Sequence, residues 1–102
     1  MIKALSETEI VKFITLHLSD WTYENNTINR ELKFKNFVEA FSFMTAIALE
    51  AEKLNHHPDW SNAYNLVHIS LSTHSAKGIT QLDFDLANTI DHTYKKFLHA
   101  VK

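Results

Sequence analysis

Seven histidines stand in a chain of 102 residues: His17, His56, His57, His68, His74, His92 and His99. Imidazole titrates at about pH 6.5 when unperturbed, so it gives and takes protons near neutrality. Three of the seven fall at the ends of expected elements, where a rigid scaffold presents binding and catalytic groups. His56 and His57 follow a long helical pattern, and His74 follows the clearest strand pattern. Clustered imidazoles suit a reaction that only moves protons. Each well-placed acid or base in such a reaction contributes roughly 10²–10⁴-fold in rate.

The same residues support plainer readings. A His-His-Pro stretch after a helix can simply cap its last carbonyls. Three imidazoles and Glu52 could supply ligands for zinc. However, His56 and His57 are adjacent, so their side chains diverge, and the i, i+4 spacing of helical zinc motifs is missing. A metal is therefore not expected. Cysteine is absent, which excludes disulfides, thiolate metal sites and thiol nucleophiles. No glycine-rich phosphate loop and no Ser/His/Asp order stands out. His17, His92 and His99 fall on expected helix surfaces or ends and are assigned no chemistry. Lys33, Lys35, Lys95 and Lys96 read as solvated charges, and the stripe Phe37, Phe41, Met44 reads as core.

The elements that must position these groups can be read from periodicity. Ser6-Glu7-Thr8-Glu9 has the form of a capping box. Ile10, Phe13, Ile14 and His17 follow at helical spacing, predicting a first helix over 6–17. Trp21 to Glu24 and Thr27 to Lys35 read as two strands joined at Asn25-Asn26, residues that tolerate the positive φ of tight hairpins. In the second strand Ile28, Arg30, Leu32 and Phe34 share one face. Asn36 with Glu39 resembles another cap. Phe37, Ala40, Phe41, Met44, Ile47, Ala48, Ala51 and Leu54 then predict a long helix over 36–54, which Pro58 cannot continue.

Asp59 to Asn62 reads as a short strand and Tyr64 to Thr73 as a long one. On the long strand Val67, Ile69 and Leu71 point one way, while Leu66, His68, Ser70 and Ser72 point the other. His74 to Gly78 reads as a loop. Thr80 with Asp83 forms a third capping pair. It opens a last helix carrying Leu82, Leu86, Ile90, Phe97 and Val101, with Ala87, Tyr94 and Leu98 beside them. The order α-β-β-α-β-β-α predicts an α+β fold: a four-stranded antiparallel sheet with three helices on one face. If the last two strands are antiparallel, His74 falls near His56 and His57.

Composition limits the rest. A chain of 102 residues makes one domain and not two. A domain that small exposes much of its surface, which favours an oligomer. The net charge of −2 gives no push toward nucleic acid or an anionic membrane. The N-terminus turns acidic too soon for a signal peptide. No apolar run approaches the ~20 residues of a membrane helix. A cytoplasmic protein without nucleic-acid or membrane partners is expected.

Ala51-Glu52-Lys53-Leu54-Asn55-His56-His57-Pro58-Asp59-Trp60 resembles the signature of the pterin-4a-carbinolamine dehydratases. The likeness continues through Asn62, Tyr64-Asn65, Val67, Ile69 and Leu71-Ser72-Thr73-His74. It then reaches Gly78-Ile79-Thr80, Asp83, Leu86-Ala87 and Ile90. Upstream, Trp21 and Phe41-Ser42-Phe43-Met44-Thr45 also look like the family. Asn55 stands where many relatives carry Asp, keeping an acceptor but losing the charge.

The resemblance implies a dehydratase that removes water from the 4a-hydroxytetrahydropterin left by aromatic amino acid hydroxylases. The product is quinonoid dihydropterin, in the recycling of tetrahydrobiopterin, and no cofactor is needed. It maps catalytic roles onto His56, His57 and His74, with Glu52 and Asp83 holding imidazoles. Asn55, Pro58, Ser72, Thr73 and Trp21 join as supporting positions, with backbone near Ser72-Thr73 facing the pterin edge. His57 and His74 are expected to share the acid and base roles, with His56 orienting the pterin. The family also implies a homodimer or homotetramer, with the exposed strand edge and last helix as contact surfaces, and coupling to a hydroxylase. Two other roles accompany the resemblance. One is a non-catalytic pterin-binding or dimerisation-cofactor module, as in some animal members that serve a homeodomain transcription factor. The other is a role in molybdopterin metabolism.

Overall fold

The computed structural model describes residues 3–100, with the side chains of 99 and 100 outside that description. Val101, expected on the last helix, therefore lies outside the described residues, as does the His99 side chain. The elements are α1 (Glu7–His17), β1 (Thr22–Glu24), β2 (Thr27–Lys33), α2 (Phe37–Leu54), β3 (Asp59–Ala63), β4 (Leu66–Leu71) and α3 (Gln81–Ala100). The order is α-β-β-α-β-β-α, as the periodicities predict.

Local chemistry explains where the elements begin and turn. At the start of α1 the Ser6 hydroxyl accepts from the Glu9 N–H at 3.1 Å, and Glu9 accepts from the Ser6 N–H at 2.8 Å. This reciprocal bond satisfies two otherwise unpaired helix donors. Asn25 and Asn26 both take positive φ, 52° and 61°. That is the pairing a tight hairpin requires to match strand twist. Asn36 caps α2 by accepting from the Glu39 N–H at 2.9 Å.

The four strands form one antiparallel sheet in the order β1-β2-β4-β3. Ile28 pairs with Leu71 and Leu32 with Val67, so the apolar parities of the two central strands coincide. Ile28, Leu32, Val67, Ile69 and Leu71 are all buried. The opposite face exposes Glu31, His68 and Ser61 side by side across three strands. The register also brings Asp59 opposite Ser70. The segment just before β3, with His56 and His57, therefore meets the segment just after β4, with His74.

The helices bury their apolar sides against the sheet and each other. Phe43 on α2 lies 5.0 Å from the Phe34 ring and 5.7 Å from that of Phe97 on α3. Phe13 of α1 stacks on Phe84 of α3 at 4.1 Å. Arg30, the polar member of the inward parity on β2, donates to Asp91 at 2.6 Å and packs 5.1 Å from the Tyr94 ring. The Trp21 indole N–H donates to the same Asp91 at 2.8 Å.

Two expectations are corrected. The stripe Phe37, Phe41, Met44 is not the core face of α2: Phe37 is 48% and Phe41 55% exposed, Ala48 is exposed, and Met44 is only half-buried. The buried face is Ala40, Phe43, Ile47 and Ala51. Helix α2 is apolar nearly all round, so spacing alone does not select which side meets the sheet. The segment His74 to Gly78 is not plain loop. His74–Ala76 makes one turn of 3₁₀ helix, ended by Lys77 at a left-handed φ of 58°. A bridge between Thr73 and Gly78 closes it. Gly78 is buried, and a Cβ there would stand 3.3 Å from the Ala4 Cβ. That close approach lets the Leu5 N–H reach the Ile79 carbonyl at 2.8 Å.

Candidate active site

Helix α2 ends where Asn55 takes a left-handed conformation, φ 52° and ψ 42°, and the His56 N–H bonds back to the Ala51 carbonyl at 3.1 Å. Asparagine tolerates this conformation better than most residues, which gives Asn55 a backbone role without charge. The turn sends the two following imidazoles apart. His56 goes inward and is buried; His57 goes outward, its side chain 58% exposed.

Each imidazole meets a carboxylate. His56 Nε2 lies 2.6 Å from Asp83 Oδ1, and His57 Nε2 lies 2.8 Å from Glu52 Oε1. The two pairs differ in environment. Asp83 is fully buried in the first turn of α3. Its Oδ2 also accepts from the Thr73 hydroxyl at 2.8 Å and the Thr80 N–H at 2.9 Å. A carboxylate with three donors is held rigidly in its bonded form. The Glu52 side chain is 78% exposed. An exposed pair of that kind adds little to stability, about 0–1 kcal/mol.

Asn55, His56, His57, Ser72, Thr73, His74 and Ser75 line one shallow hollow of about 280 Å³. Pockets for drug-sized ligands run to about 300–1,000 Å³, so this hollow suits a small molecule. The His74 side chain stands exposed at the first residue of the 3₁₀ turn. Asp83 supports the wall from behind and Glu52 braces His57 from the exposed rim, neither of them lining the hollow, while Pro58 carries the chain from His57 into β3. Trp21 is not brought to this hollow; it is buried and bonded to Asp91. A larger hollow of about 640 Å³ between α2 and α3 offers one imidazole, His92, and no bonded histidine–carboxylate pair. Among the described residues no three His, Asp or Glu side chains are grouped to hold a metal.

Thr80 is the residue that sequence reasoning placed only in a helix cap. It is fully buried and bonds both Thr73 and Asp83. The signal for it was present: a Thr three residues before an Asp fixes that carboxylate, whatever else the carboxylate does.

The family model described as pterin 4 alpha carbinolamine dehydratase matches residues 3–93. A Prochlorococcus marinus protein, provisionally named a pterin-4-alpha-carbinolamine dehydratase, is 47% identical over 91 residues, covering 89% of this chain and 95% of its own. A Solibacter usitatus protein with the same provisional name is 50% identical over 91 residues, covering 89% and 95%. A crystal structure from Brucella melitensis, titled a transcriptional coactivator/pterin dehydratase, superposes with a TM-score of 0.87 at 41% identity, over 90% of this chain and 99% of that one. A pterin dehydratase-like RuBisCO assembly factor of the alpha-carboxysome shares the fold at a TM-score of 0.61 and 16% identity, over 72% and 86%.

Proposed function

The chain belongs to the pterin 4 alpha carbinolamine dehydratase family, and from that premise we propose that it eliminates water from 4a-hydroxytetrahydropterin by histidine acid–base catalysis. The observation that carries this reading is the grouping of His56, His57 and His74 on one small hollow, two of them held by carboxylates.

The chemistry needs two proton movements. A base takes the proton from N5 of the pterin, and the freed electron pair forms the double bond to C4a. The C4a–O bond breaks as an acid protonates the hydroxyl, which leaves as water. His57 and His74, both exposed at the hollow, fill these two roles. His56, buried and pinned by Asp83, orients the ring. Glu52 steadies His57, and the Ser72-Thr73 wall of the hollow meets the pterin edge, with Ser72 offering backbone because the Thr73 N–H and carbonyl are bonded to Gly78 and Ala76. The reaction has no redox step, so the residues' own protons balance it. The product is quinonoid dihydropterin, and the setting is tetrahydrobiopterin recycling beside an aromatic amino acid hydroxylase. The whole chain serves as one domain.

A homodimer or homotetramer fits the surface. Phe37, Val38, Phe41 and Leu49 leave an apolar stripe on α2 that is 48–70% exposed. Monomers seldom leave such patches bare. This stripe supports a contact through α2; the sequence pointed to the exposed strand edge and the last helix, and of the last helix only Leu98 is a large exposed apolar residue among those described.

The test is to generate 4a-hydroxytetrahydropterin in place, add the protein, and follow quinonoid dihydropterin by absorbance beside a His74→Ala variant. Acceleration that the variant loses supports the assignment. No acceleration by the wild type would move the function to a non-catalytic binding role or to a different pterin.

A further inference from the structure

We infer that Thr80 is a positioning residue for this site. Its hydroxyl heads a one-way chain of hydrogen bonds that orients Asp83 and thereby fixes how the carboxylate meets His56 Nε2. The direction of the chain follows from counting donors. A carboxylate only accepts, and a threonine hydroxyl has one proton to give. Thr73 gives its proton to Asp83 Oδ2 at 2.8 Å. The 2.8 Å bond between Thr73 and Thr80 must therefore be donated by Thr80. Thr80 in turn accepts from the Leu82 N–H at 3.2 Å. That donor lies in the first turn of α3, where no backbone partner is available. Each link polarises the next, so Thr73 binds the carboxylate more strongly for being a donor and an acceptor at once.

The chain ends at His56. Its Nε2 faces Asp83 Oδ1 at 2.6 Å, so that nitrogen carries the proton and the neutral ring keeps its lone pair on Nδ1. Among the described residues no buried side-chain nitrogen lacks a partner. His56 is bonded through Nε2 alone, and it lines the hollow. Nδ1 is therefore the atom it offers to a ligand. Thr80 is fully buried and never reaches the hollow. Any effect of its hydroxyl on a ligand passes through Thr73, Asp83 and His56.

A helix cap alone would explain the Leu82 bond and no more, and the two accounts separate by measurement. Ring ¹⁵N NMR of His56 in the full chain, at about pH 9, reads the tautomer of the neutral imidazole. The wild type is expected to show Nε2–H alone. Thr80→Val, which keeps the shape and removes the hydroxyl, leaves Asp83 an acceptor and so keeps Nε2–H, but it is expected to shift and broaden that proton's resonance as the short bond to Asp83 loosens, and Thr80→Ser to restore it. On the dehydratase reading, on which this arm rests, kcat/KM falls about three- to tenfold in Thr80→Val, the size of one ordinary hydrogen bond, and recovers in Thr80→Ser. A wild-type ring protonated on Nδ1 overturns the inference, and that result needs neither a variant that folds nor a substrate. So does a folded Thr80→Val with the wild-type Nε2–H resonance and wild-type kcat/KM. Because the NMR arm uses no pterin, failure of the dehydratase reading leaves the tautomer test intact.

Discussion

Replacing Asp83 with asparagine should reverse the chemistry of His56 while leaving its ring in place. The outcome follows from which way the new amide must face. At Oδ2 the native carboxylate accepts two donors, the Thr73 hydroxyl and the Thr80 N–H. An amide nitrogen there would oppose both. Each buried donor left unpaired costs about 1–3 kcal/mol, so that orientation is disfavoured by roughly 2–6 kcal/mol. The amide oxygen therefore takes the Oδ2 position, and the NH₂ group faces His56 Nε2. Nε2 must then accept, and the proton moves to Nδ1, the nitrogen turned to the hollow.

The magnitudes can be bounded. Three hydrogen bonds to a charged oxygen become neutral ones, losing about 1 kcal/mol each, and relief from burying a charge offsets part of this. A net loss of about 1–3 kcal/mol lowers Tm by roughly 5–20 °C in a chain of this size. The dehydration rate should fall about 10–100-fold, the usual cost of removing a group that orients a functional histidine. Reversing the tautomer of a histidine that is itself the base costs about 10⁴-fold in serine proteases. A fall of that size would make His56 the base and demote His57 or His74. The assays are quinonoid dihydropterin formation, thermal unfolding and ring ¹⁵N NMR. An Asp83→Asn protein with unchanged tautomer and unchanged rate would refute the reasoning.

Three further outcomes are expected. Glu52→Gln should leave stability within about 0.5 kcal/mol, because the pair is exposed, yet slow dehydration about threefold by loosening His57; urea unfolding and the pterin assay separate the two effects. Phe43→Ala should cost about 3–5 kcal/mol in urea unfolding, whereas Phe41→Glu should leave the protomer folded but shrink the particle seen by light scattering. Glu9 sits below the ordinary carboxylate range because the Ser6 backbone N–H, and then the Ser6 side chain, hydrogen-bond to it. A depressed folded-state pKa adds stability that is present above the unfolded value and lost as pH falls through the folded one. The difference in Tm between wild type and Glu9→Gln should therefore be seen at pH 7 and fade on acidification below about pH 4.

Some of this architecture was legible because a local rule forces it. Ser6-Glu9 and Asn36-Glu39 are caps whatever they pack against, and a parity such as Ile28, Leu32 fixes one face of a strand. The face of α2 was not legible for the opposite reason. Phe37, Phe41 and Phe43 are equally apolar, and only the aromatic group of Phe34, Tyr94 and Phe97 decides that Phe43 turns inward. Trp21 shows the same limit. The family resemblance made it a supporting position, and its indole N–H is taken by Asp91, seventy residues away in sequence.

The histidine pair was legible because adjacency carries geometric information. Two neighbouring residues on an irregular turn cannot point the same way, so one of them must find a buried partner or pay for burial unpaired. What adjacency leaves open is which one turns inward and which carboxylate receives it. Both depend on the left-handed Asn55, which swings the chain before His56, and on Thr80, which puts Asp83 at the start of α3. Glu52, one turn earlier on α2, is left for His57 at the rim. One short turn thus divides two identical side chains between a rigid role and an exposed one. Shortening the rim carboxylate, as in Glu52→Asp, reduces its reach to His57 without touching His56. Its effect should appear in the pterin assay and be absent from the His56 ring spectrum.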